Sequence, residues 1–112
     1  MRIPNYERAY IDPRKVRDYL LSPVHPVGRL KAVFFRVGGY SRGDWTRLYA
    51  DLLATAKGEA RLGRRSPFGQ RYEVGAILPG PAGISLRVTV IWQVDGYGAY
   101  PRLLTVIPEV AE

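Results

Sequence analysis

The spacing of apolar residues changes once along this chain, close to Gly58, and that change limits the folds it can adopt. Before Gly58 the apolar residues recur every three or four positions, which is the spacing of one helix face. After it they alternate with polar residues, as in strands buried on one side. Helices followed by strands indicate an α+β fold, with about three N-terminal helices and then a three- to four-stranded antiparallel meander.

Capping residues and prolines place the ends of the predicted helices. Asp12-Pro13 begins the first, because Asp can accept hydrogen bonds from free amides and Pro fits the first helical turn. Pro23 ends it. The second is predicted over residues 29–37, and Ser41 opens the third with a sequence that resembles a capping box. The residues expected to face the core are Val16, Tyr19 and Leu20 in the first helix, Leu30, Val33, Phe34 and Val37 in the second, and Trp45, Leu48, Leu52, Leu53 and Ala56 in the third.

Four segments of the second half read as strands. They are residues 59–65, 71–78, 84–94 and 102–107, and a short extended piece is also expected at 9–11. The alternation is strongest over 84–94, where every second residue from Ile84 is apolar and the opposite face is mostly polar. We therefore expect Tyr72 and Trp92 to point into the core and the opposite face to meet solvent.

Composition supports one soluble domain over residues 1–112. The chain has no cysteine, which excludes disulfides and thiolate metal sites, and no apolar run long enough to cross a membrane. The first residues lack the apolar segment of a signal peptide, so a cytoplasmic location is expected. No phosphate-binding loop, carboxylate cluster or nucleophile elbow is present, and we predict no cofactor and no metal.

The chain has a large basic excess: 17 basic and 10 acidic residues give a net charge of +7. Such an excess favours a polyanionic partner, which can be RNA, DNA or an acidic protein. Arginine supplies most of the positive charge, and its planar fork suits phosphate. The alternative explanation is a GC-rich genome that encodes arginine in place of lysine.

One histidine, His25, lies in a proline-bracketed loop close to Arg29 and Lys31. A neutral imidazole can take a proton from a ribose 2′-hydroxyl, and Arg or Lys can stabilise the charge that builds on the phosphate. The alternative interpretation is that His25 hydrogen-bonds its loop onto the body of the domain.

The polar side of the predicted sheet contains Arg71, Arg87, Thr89 and Arg102. In suitable registers these side chains can hold a nucleic-acid backbone. A merely solvated sheet face is the alternative.

Residues 11–35 contain the run I-D-x-x-K-x-x-D-Y-L-L-x-x-x-H-P-x-G-x-x-K-A-x-F-F. This run resembles the hallmark of an uncharacterised bacterial family, domain of unknown function 6883, and the Trp45 helix and the end of the chain fit it as well. The family's ending is similar to P-R-L-V-T-A-Y-P, from which Val106 and Ile107 depart. The resemblance implies no known activity.

A weaker resemblance is to the barnase, colicin and RelE-like ribonuclease toxins, which also place helices before an antiparallel sheet. It implies catalytic roles for His25, Lys31 and Thr105 and a phosphate contact at Arg102. Together with the basic patches, it makes Arg29, Arg71, Arg87 and Arg102 the candidate substrate-binding residues.

Three functions are consistent with the sequence. The first is a metal-independent, RNA-directed ribonuclease or a degenerate relative of one. The second is a non-catalytic nucleic-acid-binding module. The third is a protein-interaction module of a toxin–antitoxin or immunity system. RNA and an acidic protein are the expected partners, and the oligomeric state is left open.

Overall fold

The computed structural model describes residues 1–109 and has its helices in the first half of the chain. The helical elements are a 3-10 turn (Tyr6–Arg8), α1 (Pro13–Lys15) with a π-helical turn that continues it (Val16–Leu20), α2 (Gly28–Val37), and α3 (Trp45–Ala54) with a terminal 3-10 turn (Thr55–Lys57). Within this described part of the chain, none of the helices has the length and apolar character needed to cross a membrane.

The second half forms a four-stranded antiparallel sheet. Its strands are β1 (Ala60–Ser66), β2 (Gly69–Leu78), β3 (Leu86–Val94) and β4 (Arg102–Pro108). They are hydrogen-bonded in the order β1-β2-β3-β4, which is a meander. The predicted α+β fold is therefore confirmed.

The N-terminal segment is joined to the free edge of β4. Tyr10 forms a parallel bridge with Arg102. The amide of Tyr10 donates to the Pro101 carbonyl over 2.9 Å, and the amide of Leu103 donates to the Tyr10 carbonyl over 3.1 Å. The predicted extended piece at 9–11 is thus confirmed.

The core lies between the helices and one face of the sheet. Its largest fully buried side chains include Trp92, Tyr40, Phe35, Leu20, Leu48 and Leu52. Tyr72 and Trp92 point into this core, as expected. The Tyr40 hydroxyl donates to Asp51 over 2.6 Å, and burial together with this carboxylate raises the pKa of Tyr40.

The opposite face of β3 is more buried than the alternation predicts. Thr89, Ile91 and Gln93 are all buried, although a solvated face was expected. The strand is central, so side chains of β2 and β4 stand on both sides of it; Ile91, for example, lies between Glu73 and Thr105. A polar pattern on a central strand therefore does not require exposure to solvent.

The two predicted caps have different outcomes. At α1, Asp12 accepts from the Arg14 amide over 3.0 Å and Pro13 occupies the first turn, which confirms the predicted start. The prediction that Ser41 opens the third helix is wrong. The third helix begins at Trp45, and Ser41 Oγ accepts from the amide of Asp44, before the helix.

The face of α2 that packs on the body is also different from the expected one. Gly28, Ala32 and Phe35 are buried, and Phe34 is half-buried. Leu30, Val33 and Val37, expected in the core, are exposed.

The reason lies at the start of α2. A Cβ atom added to Gly28 would stand 1.9 Å from the carbonyl oxygen of Tyr19. The helix therefore approaches the π-helical turn so closely that only a residue without a side chain fits at this position, and Ala32 follows on the same side one turn later.

Replacement of Gly28 by alanine should destabilise the fold, because the new methyl group must displace the backbone at Tyr19. We expect a loss of about 1–3 kcal/mol in the free energy of unfolding, which urea denaturation measures. Gly75→Ala is the control, since a Cβ at Gly75 meets nothing within 4 Å. Equal stability of the two variants would contradict the close contact.

Candidate functional site

Two of the predicted site residues are in direct contact. The ammonium of Lys31, on α2, donates to the Thr105 hydroxyl, on β4, over 2.7 Å, although 74 positions separate them in the sequence. The register of β4 against β3 shifts by one residue just before Thr105, between the pairs Trp92–Leu103 and Ile91–Thr105. Such a bulge changes the direction of side chains, and it occurs here at the residue that meets α2.

Tyr19 completes this contact from the π-helical turn. The Lys31 ammonium lies 5.3 Å from the centre of the Tyr19 ring, and that of Lys15 lies 6.0 Å from it. Partial burial raises the pKa of the Tyr19 hydroxyl, but hydrogen bonding with Lys31 and Thr105 and the charges of both lysines outweigh it. The pKa of Tyr19 is therefore below its ordinary value, and its phenolate form is favoured relative to an isolated tyrosine.

His25 also packs against Tyr19, with the two ring centres 4.9 Å apart and the rings edge to face. Its Nδ1 accepts from the amides of Val27 and Gly28 over 3.1 and 3.0 Å. His25 therefore hydrogen-bonds within its own loop and to the first residue of α2. Because Nδ1 accepts, the hydrogen-bond network assigns the proton of the neutral ring to Nε2.

This arrangement bears on the chemistry available to His25. Its Nε2 has no hydrogen-bond partner within residues 1–109 and is not among the buried unpaired atoms. A neutral imidazole can accept a proton at Nε2 only if its own proton is on Nδ1. A proton on Nδ1 would face the two amide donors and break both hydrogen bonds. The site therefore favours His25 as a donor over His25 as a base.

The carboxylates that cap α1 and lie in the π-helical turn are already paired with arginines. Asp12 contacts Arg14 over 2.8 Å, and Asp18 contacts Arg17 and Arg42 over 2.9 and 3.1 Å. Arg17 and Arg42 together hold the pKa of Asp18 at about 2. The two site lysines have no carboxylate partner in the part of the chain that the structure describes, so the site keeps its positive charge.

The predicted arginines do not join this site. Arg71 and Arg102 lie on either side of Gln93 in the sheet register, and Arg102 is paired with Asp95 over 2.8 Å. Arg87 is six residues from Gln93 along β3, which is about 20 Å. Arg71 and Arg87 therefore stand at opposite ends of the sheet.

Arg29 also points away from the site. It precedes Lys31 by two residues on α2, which is more than half a turn around the helix, and it is exposed.

The part played by Tyr19 and Lys15 is not predicted by the sequence pattern, because helical spacing places Tyr19 in the core. The available signal was their four-residue separation, which puts a lysine and a tyrosine on one helix face. As to metals, no three His, Cys, Asp or Glu side chains are grouped as ligands among the described residues.

The sequence matches the family described as Domain of unknown function (DUF6883) over residues 2–110. The chain belongs to this family. The family assignment made from the run at residues 11–35 is therefore confirmed. No curated protein matches this DUF6883 sequence.

A solved structure is similar to this DUF6883 domain. It is a chain of the contact-dependent growth inhibition toxin–immunity protein complex from Klebsiella pneumoniae 342, with a TM-score of 0.71 and 13% sequence identity. The similarity covers 97% of this chain and 100% of that chain. At this identity the likeness shows that the two chains share a fold.

Tyr19 should ionise below the ordinary tyrosine pKa of 10.0, and Lys31→Met should raise its pKa because the phenolate loses its nearest cation. The ultraviolet titration of each protein, minus that of the same protein carrying Tyr19→Phe, isolates this one hydroxyl. Because the pKa of Tyr19 is lower in the folded than in the unfolded protein, its ionisation stabilises the fold. This contribution is fully present above the unfolded pKa and is lost as the pH falls through the folded pKa. An unchanged titration in Lys31→Met would contradict the contact.

Proposed function

We propose that this DUF6883 domain is a metal-independent ribonuclease of a toxin system, with Tyr19, His25, Lys31 and Thr105 as its active site. The observation that supports the proposal most is the 2.7 Å hydrogen bond between Lys31 and Thr105 beside the two rings. Four groups able to move a proton or to stabilise charge are supplied by the π-helical turn, the following loop, α2 and β4. In this proposal the domain acts in the cytoplasm on RNA.

Lys31 supplies the electrostatic part of the mechanism. When the ribose 2′-oxygen attacks the adjacent phosphorus, negative charge grows on the phosphoryl oxygens, and a fixed ammonium lowers the energy of that state. Thr105 acts as a positioning residue, because its hydroxyl accepts from Lys31 and holds the ammonium in place.

Tyr19 is the proposed base, in place of His25. Its phenolate accepts the proton of the 2′-hydroxyl as the 2′-oxygen forms a bond to phosphorus. The bond between phosphorus and the 5′-oxygen then breaks. A 2′,3′-cyclic phosphate and a 5′-hydroxyl result; the leaving oxygen takes a proton from water, and Tyr19 later returns its proton to water. His25 donates a hydrogen bond from Nε2 to the leaving oxygen as charge builds there.

The similar solved structure adds independent support for the toxin system, since that chain comes from a toxin–immunity complex. The same observation favours a second candidate function, a module whose main role is to bind a partner protein. The two candidate functions differ in one respect, because a partner-binding module requires no RNA cleavage.

Purified protein should cleave RNA in the presence of a chelator, and Lys31→Ala and Tyr19→Phe should each lower the rate by about 10²–10⁴-fold, as expected for loss of charge stabilisation or of a base. His25→Ala should also lose cleavage. Lys57→Ala is the matched control, because it removes an exposed lysine outside the site. Gel analysis of the products measures the rate and tests for the cyclic phosphate.

Thr105 gives a finer test, since Thr105→Ser keeps the acceptor for Lys31 and Thr105→Val removes it. We expect cleavage to persist in the serine variant and to fall in the valine variant. Cleavage that is unchanged in His25→Ala and Lys31→Ala would overturn the proposed site. Salt-sensitive RNA binding without any cleavage would indicate the non-catalytic nucleic-acid-binding module instead.

A further inference from the structure

The outward side of α2 is apolar, and no described element covers it. Leu30, Val33 and Val37 are 69%, 54% and 56% exposed, and in the turn before the helix Val24 and Val27 are 78% and 54% exposed. We call these five residues the outer stripe. Single exposed aliphatic residues are common, but here five occur within fourteen positions.

The helix is apolar on two sides. Its inner side packs through Gly28, Ala32 and Phe35, whereas the helical residues of the outer stripe lie on the opposite side. A surface helix normally has one apolar face and one polar face. A second apolar face is typical of a helix that is packed on both sides once a partner is present.

Two arginines flank the outer stripe on the same side. Arg29 and Arg36 are separated by seven residues, two helical turns, and both are exposed. Neither forms an ion pair within residues 1–109, although seven ion pairs occur elsewhere in that region. Their charge calls for carboxylates on the molecule that covers the stripe.

The same charges argue against a second copy of this chain. Each copy carries a net charge of +7 and the same two arginines, so pairing stripe to stripe brings like charges together.

We infer that the outer stripe is the docking surface for an acidic protein partner, which places apolar side chains on Leu30 and Val37 and carboxylates opposite Arg29 and Arg36. Lys31 directly follows Leu30, so a partner seated here lies beside the ammonium of the candidate site. The expectation that such a partner also hinders RNA cleavage rests on the proposed function. The docking itself does not depend on that function.

The test uses a fluorescent helical peptide with a leucine stripe flanked by glutamates, beside a matched peptide with lysines in place of the glutamates. Fluorescence anisotropy with the full chain should show binding of the acidic peptide that is about tenfold or more tighter than that of the basic one. Leu30→Ser with Val37→Ser should abolish this binding. Arg29→Glu with Arg36→Glu should reverse the preference between the peptides.

Arg64→Glu with Arg65→Glu is the control, because it changes the net charge equally on exposed residues of β1. If this control loses binding as strongly as the Arg29 and Arg36 variant, the inference is overturned and the attraction is non-specific. The inference is also overturned if the peptide does not bind and sedimentation shows a dimer of the wild type that the serine variant does not form. Binding of phosphatidylglycerol vesicles without binding of the peptide would overturn it as well. Urea denaturation confirms that each variant is folded. Peptide binding without any RNA cleavage would leave the docking surface standing and reject the ribonuclease.

Discussion

The start of α2 lies directly against the backbone of the π-helical turn, with Gly28 facing the carbonyl of Tyr19. This contact fixes the rotation of α2 about its own axis, since only its small residues can face inward there. Two consequences follow for function. Lys31 is directed towards β4 and Tyr19, and the larger aliphatic residues of the helix are turned outward. The candidate site and the exposed stripe are therefore two results of one packing constraint.

The site depends on a second constraint, which is electrostatic. A tyrosine with a lowered pKa needs cations close by, and those cations must not be neutralised by carboxylates. Lys31 and Lys15 meet the first condition, and the pairing of Asp18 with Arg17 and Arg42 meets the second. The arrangement thus keeps a tyrosine whose pKa is lowered and a fixed ammonium side by side.

The sequence was sufficient for the fold and for part of the site. Apolar periodicity located the helices and strands because it reflects burial. The resemblance to ribonuclease toxins pointed to Lys31 and Thr105, and these two side chains are in contact. Periodicity predicted the wrong buried face for α2. It shows that a helix has apolar residues on one face, but it does not show which face packs on the rest of the domain. Tyr19 was missed for a related reason, since an aromatic at core spacing can keep its ring half-buried and its hydroxyl at a site. The role of His25 depends on which ring nitrogen accepts the hydrogen bonds from the amides of Val27 and Gly28, and a sequence does not show this.

The most direct test of the account is an NMR titration of the labelled protein with an RNA dinucleotide that lacks the attacking 2′-hydroxyl and so cannot be cleaved. The account predicts that the largest chemical-shift changes fall on Tyr19, His25, Lys31 and Thr105, with little change at Arg71 or Arg87. Changes centred on the sheet arginines, or no binding at low salt, would contradict the assignment of this site to RNA.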